Sequence, residues 1–128
     1  MRDIAPNIGV VLALSPAVQS ATINGLAVDT NGFEAVAFAL NTGAIASAGD
    51  FTAKVQESDT TTSGDFTDAA AAVVTSSAPA TLTADGSFKL GYRGFKRYVR
   101  LVLTKNSGTS IAAGAVAILG RAHNRPVA

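Results

Sequence analysis

The sequence predicts an all-β fold: a single domain built as a β-sandwich or jelly-roll-like structure, with extended arms at both ends. Three observations predict it. Short apolar or alternating runs follow one another along the 128 residues. Turn signals separate them at Asn24-Gly25, Asn31-Gly32, Thr42-Gly43, Gly49-Asp50, Gly64-Asp65, Asp85-Gly86 and Ser107-Gly108. Only TDAAAAVV (67–74) has a helical look, and it is too short to form a helix alone, so it reads as one turn or the start of a strand. Frequent short strands with such turns are the pattern of sandwiches and barrels.

Taken in order, residues 1–19 read as an N-terminal arm, 20–120 as the sandwich and 121–128 as a C-terminal tail. In FEAVAFAL (33–40), Val36, Phe38 and Leu40 share one face, and Phe33, Ala35, Ala37 and Ala39 the other. FTAKVQES (51–58) sets Phe51, Ala53 and Val55 against Thr52, Lys54 and Gln56. SFKLGY (87–92) groups Phe88, Leu90 and Tyr92. In YVRLVLT (98–104), Val99, Leu101 and Leu103 point inward, and Tyr98 and Arg100 lie opposite. SIAAGAVAILG (110–120) is apolar on both faces, as a central strand is. ESDTTTSGDFTD (57–68) reads as a polar surface loop.

Hydrophobic residues make up 48% of the chain but aromatics only 6%, so alanine carries much of the apolar count. Small side chains each bury little area, at roughly 25 cal/mol per Å², and a short alanine-rich chain gains from a subunit interface. There is no cysteine, which excludes disulfides and thiolate metal sites. No run approaches the length a membrane-spanning helix needs. The apolar run from Ile8 to Leu14 is short for a secretory leader, and Asp3 and Pro6 stand where basic residues belong. It is therefore expected to stay with the chain.

The net charge of +1 conceals a segregation. All nine acidic residues lie at or before Asp85, accompanied only by the basic Arg2 and Lys54, and the eight other basic residues follow Gly86. Either the halves interleave and neutralise one another, or acidic and basic faces meet between molecules. The acidic half weakens any case for nucleic acid.

Catalytic patterns are missing. The one histidine, His123, lies near the end in RAHNRPVA, with no other imidazole to activate the many hydroxyls. Glu57, Asp59, Asp65 and Asp68 share the 57–68 loop, but on a calcium-loop register starting at Asp59, Ala70 falls where the bidentate glutamate belongs. A solvated acidic loop is the expectation. No phosphate-binding or dinucleotide fingerprint occurs. We therefore single out no catalytic, cofactor-binding or metal-ligating residue, and expect no cofactor and no enzymatic activity.

LGYRGFKRYVRLVLT (90–104) carries four of the ten basic residues and three of the eight aromatics. RGFKRYVRL approaches the strand signature of RNA-recognition motifs but has Lys96-Arg97 where a small residue and an aromatic belong. Alternation gives a simpler account: a core strand whose polar side meets protein, or pairs within the chain. Tyr98, Lys96, Arg97 and Arg100 are the candidate interface residues here, because tyrosine and arginine are enriched at such surfaces. Ile8, Val10 and Leu12 of the N-terminal arm are the others, as an added strand against a neighbour.

The succession VDTNGFEAVAFAL, FTAKVQESD, LGYRGFKRYVRLVLT and AGAVAILG resembles the capsid decoration (cement, or head-stabilising) proteins of tailed bacteriophages. The resemblance covers residues 28–120, and VQESD and GYRGFKRYVRL are its most specific pieces. It implies a β-sandwich, a homotrimer on the outer surface of the capsid, and the major capsid protein as partner, with no nucleic acid or membrane contacted directly. Another virion component (tail, neck or fibre) and a carbohydrate- or nucleic-acid-binding module are the alternatives. A sugar site would want exposed aromatic platforms, and the chain has no tryptophan and two tyrosines.

Overall fold

The structure, a computed structural model, describes residues 3–127. Among the described residues ten strands run in chain order: β1 (Gly9–Gln19), β2 (Ile23–Asn24), β3 (Val28–Asp29), β4 (Phe33–Ala46), β5 (Asp50–Ser58), β6 (Thr67–Asp68), β7 (Val74–Ser76), β8 (Ser87–Tyr92), β9 (Tyr98–Ser107) and β10 (Ser110–Ala122). They form two antiparallel sheets. The first has the order β1-β10-β4-β8-β7, and the second β2-β9-β5-β6, with β3 also on β9. The all-β sandwich predicted from the sequence is the fold observed. The helical content of the described residues is single 3-10 turns, one of which (Ala71–Val73) leads into β7, within the segment read as a turn or strand start.

The inner faces follow the alternation. Val36, Phe38, Leu40, Leu90 and Leu119 from the first sheet meet Phe51, Val55, Val99, Leu101 and Leu103 from the second, all buried. Full burial of such a side chain contributes about 1.5–3 kcal/mol. β10 is an interior strand of the first sheet, paired with β1 on one side and β4 on the other. Its small residues allow both neighbours to pack closely.

Two sequence expectations change. Residues 9–19 are an integral edge strand, with Ala13 and Leu14 in the core, rather than a free arm. Register shifts between Leu12 and Leu14, and between Leu14 and Ala17, break the alternation that would have revealed the strand. Pro16 is tolerated because edge strands have a side that needs no donor. Thr42-Gly43 is not a turn but an irregularity inside β4, where the pairing with β10 shifts between Ile111 and Ala113. The long loop 77–86 is clasped to the core through buried Leu82, whose N–H donates to Phe51 O at 2.9 Å. Thr42 ties the same loop down: its hydroxyl donates to Thr83 O at 2.6 Å and accepts from the Gly86 N–H at 3.0 Å.

The tail beyond β10 turns back over the N-terminal end, with His123 N–H donating to Gly32 O at 2.9 Å and Val127 N–H to Pro6 O at 2.8 Å. Gly25 is required by space, because a Cβ there would lie 2.6 Å from Ala13 O. Its neighbour Leu26 donates to that same carbonyl at 2.8 Å, which stitches the free edge of β1 to the β2–β3 link.

Leu14→Ala is expected to cost about 2–5 kcal/mol, read as a lowered urea midpoint. A midpoint unchanged by the substitution would mean that β1 does not belong to the cooperative unit.

Candidate protein-interaction surface

The 93–97 turn between β8 and β9 is where the basic and aromatic residues gather, and the two strands position them. Val99, Leu101 and Leu103 fill the core and turn Arg100 to the opposite side of the second sheet. There Arg100 is only 7% exposed. Its Nε donates to Gln56 Oε1 at 2.8 Å and its NH1 to Ser63 Oγ at 3.0 Å. The guanidinium lies over the Phe66 ring, 4.3 Å from the centroid. Burial pulls its pKa below the ordinary arginine value. Arg100 thus holds the 57–68 loop onto the sheet and does not project towards a partner.

Arg97 is also engaged within the chain. Its Nε and NH2 each donate to an Asp29 carboxylate oxygen at 2.9 Å, a two-pronged pair. The bond from Arg97 holds the Asp29 carboxyl below its ordinary value, and Asp29 raises Arg97 in turn. The guanidinium also sits 5.1 Å from the centre of the half-buried Tyr98 ring. Lys96 pairs with Asp59 at 2.7 Å, which raises the lysine pKa. Lys54 pairs with Asp68 at 3.1 Å, and His123 lies 3.9 Å from Glu34. The segregated charges therefore meet inside the chain, because the sheets bring its acidic first part against its basic second part. These exposed pairs fix geometry more than they stabilise.

Tyr92 sits at the centre of this arrangement. It is buried, its hydroxyl is hydrogen-bonded to the Glu57 carboxylate, and it accepts from the Lys96 N–H at 3.2 Å. Burial, then the Glu57 bond, pushes its pKa up to about 12. Gly94 lies against the Tyr92 hydroxyl, leaving no room for a Cβ. The turn is pinned further by Thr30, whose N–H and hydroxyl donate to Arg97 O at 3.0 and 2.7 Å, and by Arg93 N–H donating to Val73 O at 2.7 Å. At its tip stands Phe95, 99% exposed.

The second surface is the outward face of the first sheet. Val10 and Leu12 of β1 are 61% and 43% exposed and register with Ile118 and Val116 of β10. Ile8, just before β1, is half-buried. Val18 is 69% exposed and registers with Ala112. Leu12, Pro16, Val18, Ala112 and Val116, with Asn41–Gly43, border an open groove of about 520 Å³, and none of its described lining residues is ionisable. Of the sequence candidates, Val10 and Leu12 are thus available on one face, whereas Lys96, Arg97 and Arg100 already have partners within the chain.

Phe95 and Val18 were not among the sequence candidates. Phe95 follows Gly94 in a turn outside any alternation, and Val18 follows the irregularities of β1. Among the described residues no group of three or more His, Asp or Glu side chains could hold a metal ion. In the 57–68 loop, Asp65 accepts from Thr60, while Asp59 and Asp68 are paired with lysines.

No protein-family model matches the chain, and no curated protein matches it. Among solved structures, the chain is similar to part of the structure of infectious bursal disease virus Gx strain, at 14% identity and a TM-score of 0.45. The match covers 93% of this chain and 33% of the other, so the chain spans about a third of that protein's length.

Arg100→Ala is expected to destabilise the fold by about 1–3 kcal/mol, while Arg97→Ala moves the urea midpoint little. The reverse order would overturn this division of roles. Tyr92 gives a pH signature. Its folded pKa lies above the ordinary tyrosine value, so its contribution is complete below about pH 10 and is lost as pH rises towards about 12. Tyr92→Phe should be less stable than wild type at neutral pH, with the gap closing in alkali. A gap of constant size in thermal melts from pH 7 to 12 would contradict it.

Proposed function

We propose that the chain is a structural virion protein that decorates the outer surface of a tailed-bacteriophage capsid and stabilises the mature head by bridging neighbouring subunits of the major capsid protein. The observation that carries this reading is the division of the surface. The ionic side chains of the 96–100 segment are engaged within the chain, while the outward face of the first sheet presents Val10, Leu12 and Val18 beside an uncharged groove. Exposed apolar patches of this kind mark contacts with protein. The resemblance of VQESD and GYRGFKRYVRL to capsid decoration proteins supplies the setting.

In this role the chain acts mechanically. A full shell is under outward stress, and a molecule that spans two subunits adds contacts that must break before they part. Copies joined in a trimer touch several subunits, so each contact after the first forms at high effective concentration. Binding the mature geometry alone stabilises that geometry by mass action.

Immunogold labelling of virions from the phage that encodes the chain tests the assignment. Label spread over the head is the expected result, and label confined to the tail, or absent, would overturn it. On the same reading, Val10→Lys, outside the groove lining, should fold normally and leave heads with occupancy reduced at least tenfold, measured by quantitative gel analysis of purified particles. Full occupancy by the variant would remove β1 from the contact.

A further inference from the structure

We propose that Phe95 of one copy docks into the outward groove of the first sheet of another copy, a head-to-tail contact between identical chains. The exposure of Phe95 has no role in its own fold. The ring stands 99% exposed on a turn that is otherwise heavily restrained. Lys96 N–H is bonded to the Tyr92 hydroxyl, Arg97 is held by Asp29 and Thr30, and Gly94 is pressed against Tyr92. A rigid turn presenting a single aromatic loses little conformational freedom on binding and is the form an interface anchor takes.

The same chain offers a receptor. The groove at Leu12, Pro16, Val18, Ala112 and Val116 is apolar, open and about 520 Å³ in volume. Small residues make it: Gly114 brings β10 close beneath Pro16, where a Cβ would sit 2.9 Å from Pro16 Cα. Phe95 cannot reach it within one molecule. The turn lies beside the Phe33–Val36 end of β4, whereas the groove lies at Asn41–Gly43. Some eight residues of strand separate them, about 25 Å at about 3.3 Å per residue.

Charge favours a second copy as the occupant. Lys96 and Arg97 arrive already paired with Asp59 and Asp29. Arg93, on the other flank of Phe95, makes no ion pair among the described residues; its guanidinium bonds to Ala72 O and Thr75. At the lip of the groove, exposed Asp85 donates its N–H to Gly43 O at 3.1 Å, and its carboxylate has no ion-pair partner among the described residues. The cation beside the anchor and the anion beside the groove complement one another at the rim, where electrostatics set orientation. Because anchor and groove are different patches, the contact is heterologous, and repetition around a rotation axis closes a ring.

The inference rests on the proposed function only in that decoration calls for copies to meet. It is tested on the purified chain with no capsid present, so its failure and that of head labelling are separate results. Sedimentation velocity is measured on wild type, Phe95→Ala, Val18→Glu and an equal mixture of the two variants, with each variant's fold confirmed by circular dichroism. Wild type is expected to associate with rising concentration, and each variant alone to associate at least tenfold more weakly. The mixture retains one intact anchor and one intact groove, so it should form a heterodimer and nothing larger. If Val18→Glu fails to fold, Asp85→Arg replaces it. A wild type monomeric up to about 1 mM, a Phe95→Ala variant that associates like wild type, or a mixture that yields no heterodimer would each overturn the proposal.

Discussion

The pairing of β10 with β1 on one edge and β4 on the other constrains the rest of the molecule, because it fixes both faces of the first sheet at once. Ile111, Ala117 and Leu119 point into the core, Val116 and Ile118 register with outward residues of both neighbours, and Ala112 registers with Val18 of β1. Alanine and glycine on this strand let the sheet lie close against the second one, whose bulk comes from Phe51, Leu101 and Leu103. The same small residues on the outward side leave a shallow groove where larger ones would have filled the space. Core packing and the uncharged outer face are therefore consequences of one composition.

The charge arrangement follows from the path of the chain between the sheets. The acidic residues of the first half and the basic residues of the second are far apart in sequence, but β9 lies between β5 and the β2–β3 segment. That places Asp29 opposite Tyr98, within reach of Arg97, and brings Gln56 and Ser63 to Arg100. The buried arginine shows how a polar group is tolerated under a loop. Its Nε and NH1 are bonded and its flat face rests on Phe66, and among the described residues no fully buried side-chain nitrogen is left without a partner.

How much was legible depended on whether a signal was local. Val99, Leu101 and Leu103, or Val36, Phe38 and Leu40, declare their face through strict alternation, and both faces were read correctly. The two-sided apolar character of 110–120 likewise revealed a central strand. β1 reads as an arm because its irregularities and Pro16 disrupt the period; Val10 and Leu12, interface candidates from the sequence, are exposed on it. Leu82 and Phe66 are single apolar residues in polar loops, and their burial depends on where those loops settle. The destination of Arg100 was hidden for the same reason, since it is covered by a segment more than thirty residues away (Ser63). Phe95 carried no periodic signal, and its exposure is a property of the finished turn.

A rigid aromatic tip and a shallow groove suit an assembly in which no single contact has to be strong. Each proposed contact buries one ring and one short rim, so one contact alone holds a pair weakly and shows only at high concentration. Closure changes this, because the last contact of a ring forms between parts already held together. A lattice that fixes the copies in place has the same effect. Association of the free chain can therefore be weak while occupancy on an ordered surface is complete. Such a balance keeps the chain dispersed until a surface of the right geometry gathers it, and the uncharged groove has no charge that would favour another partner earlier.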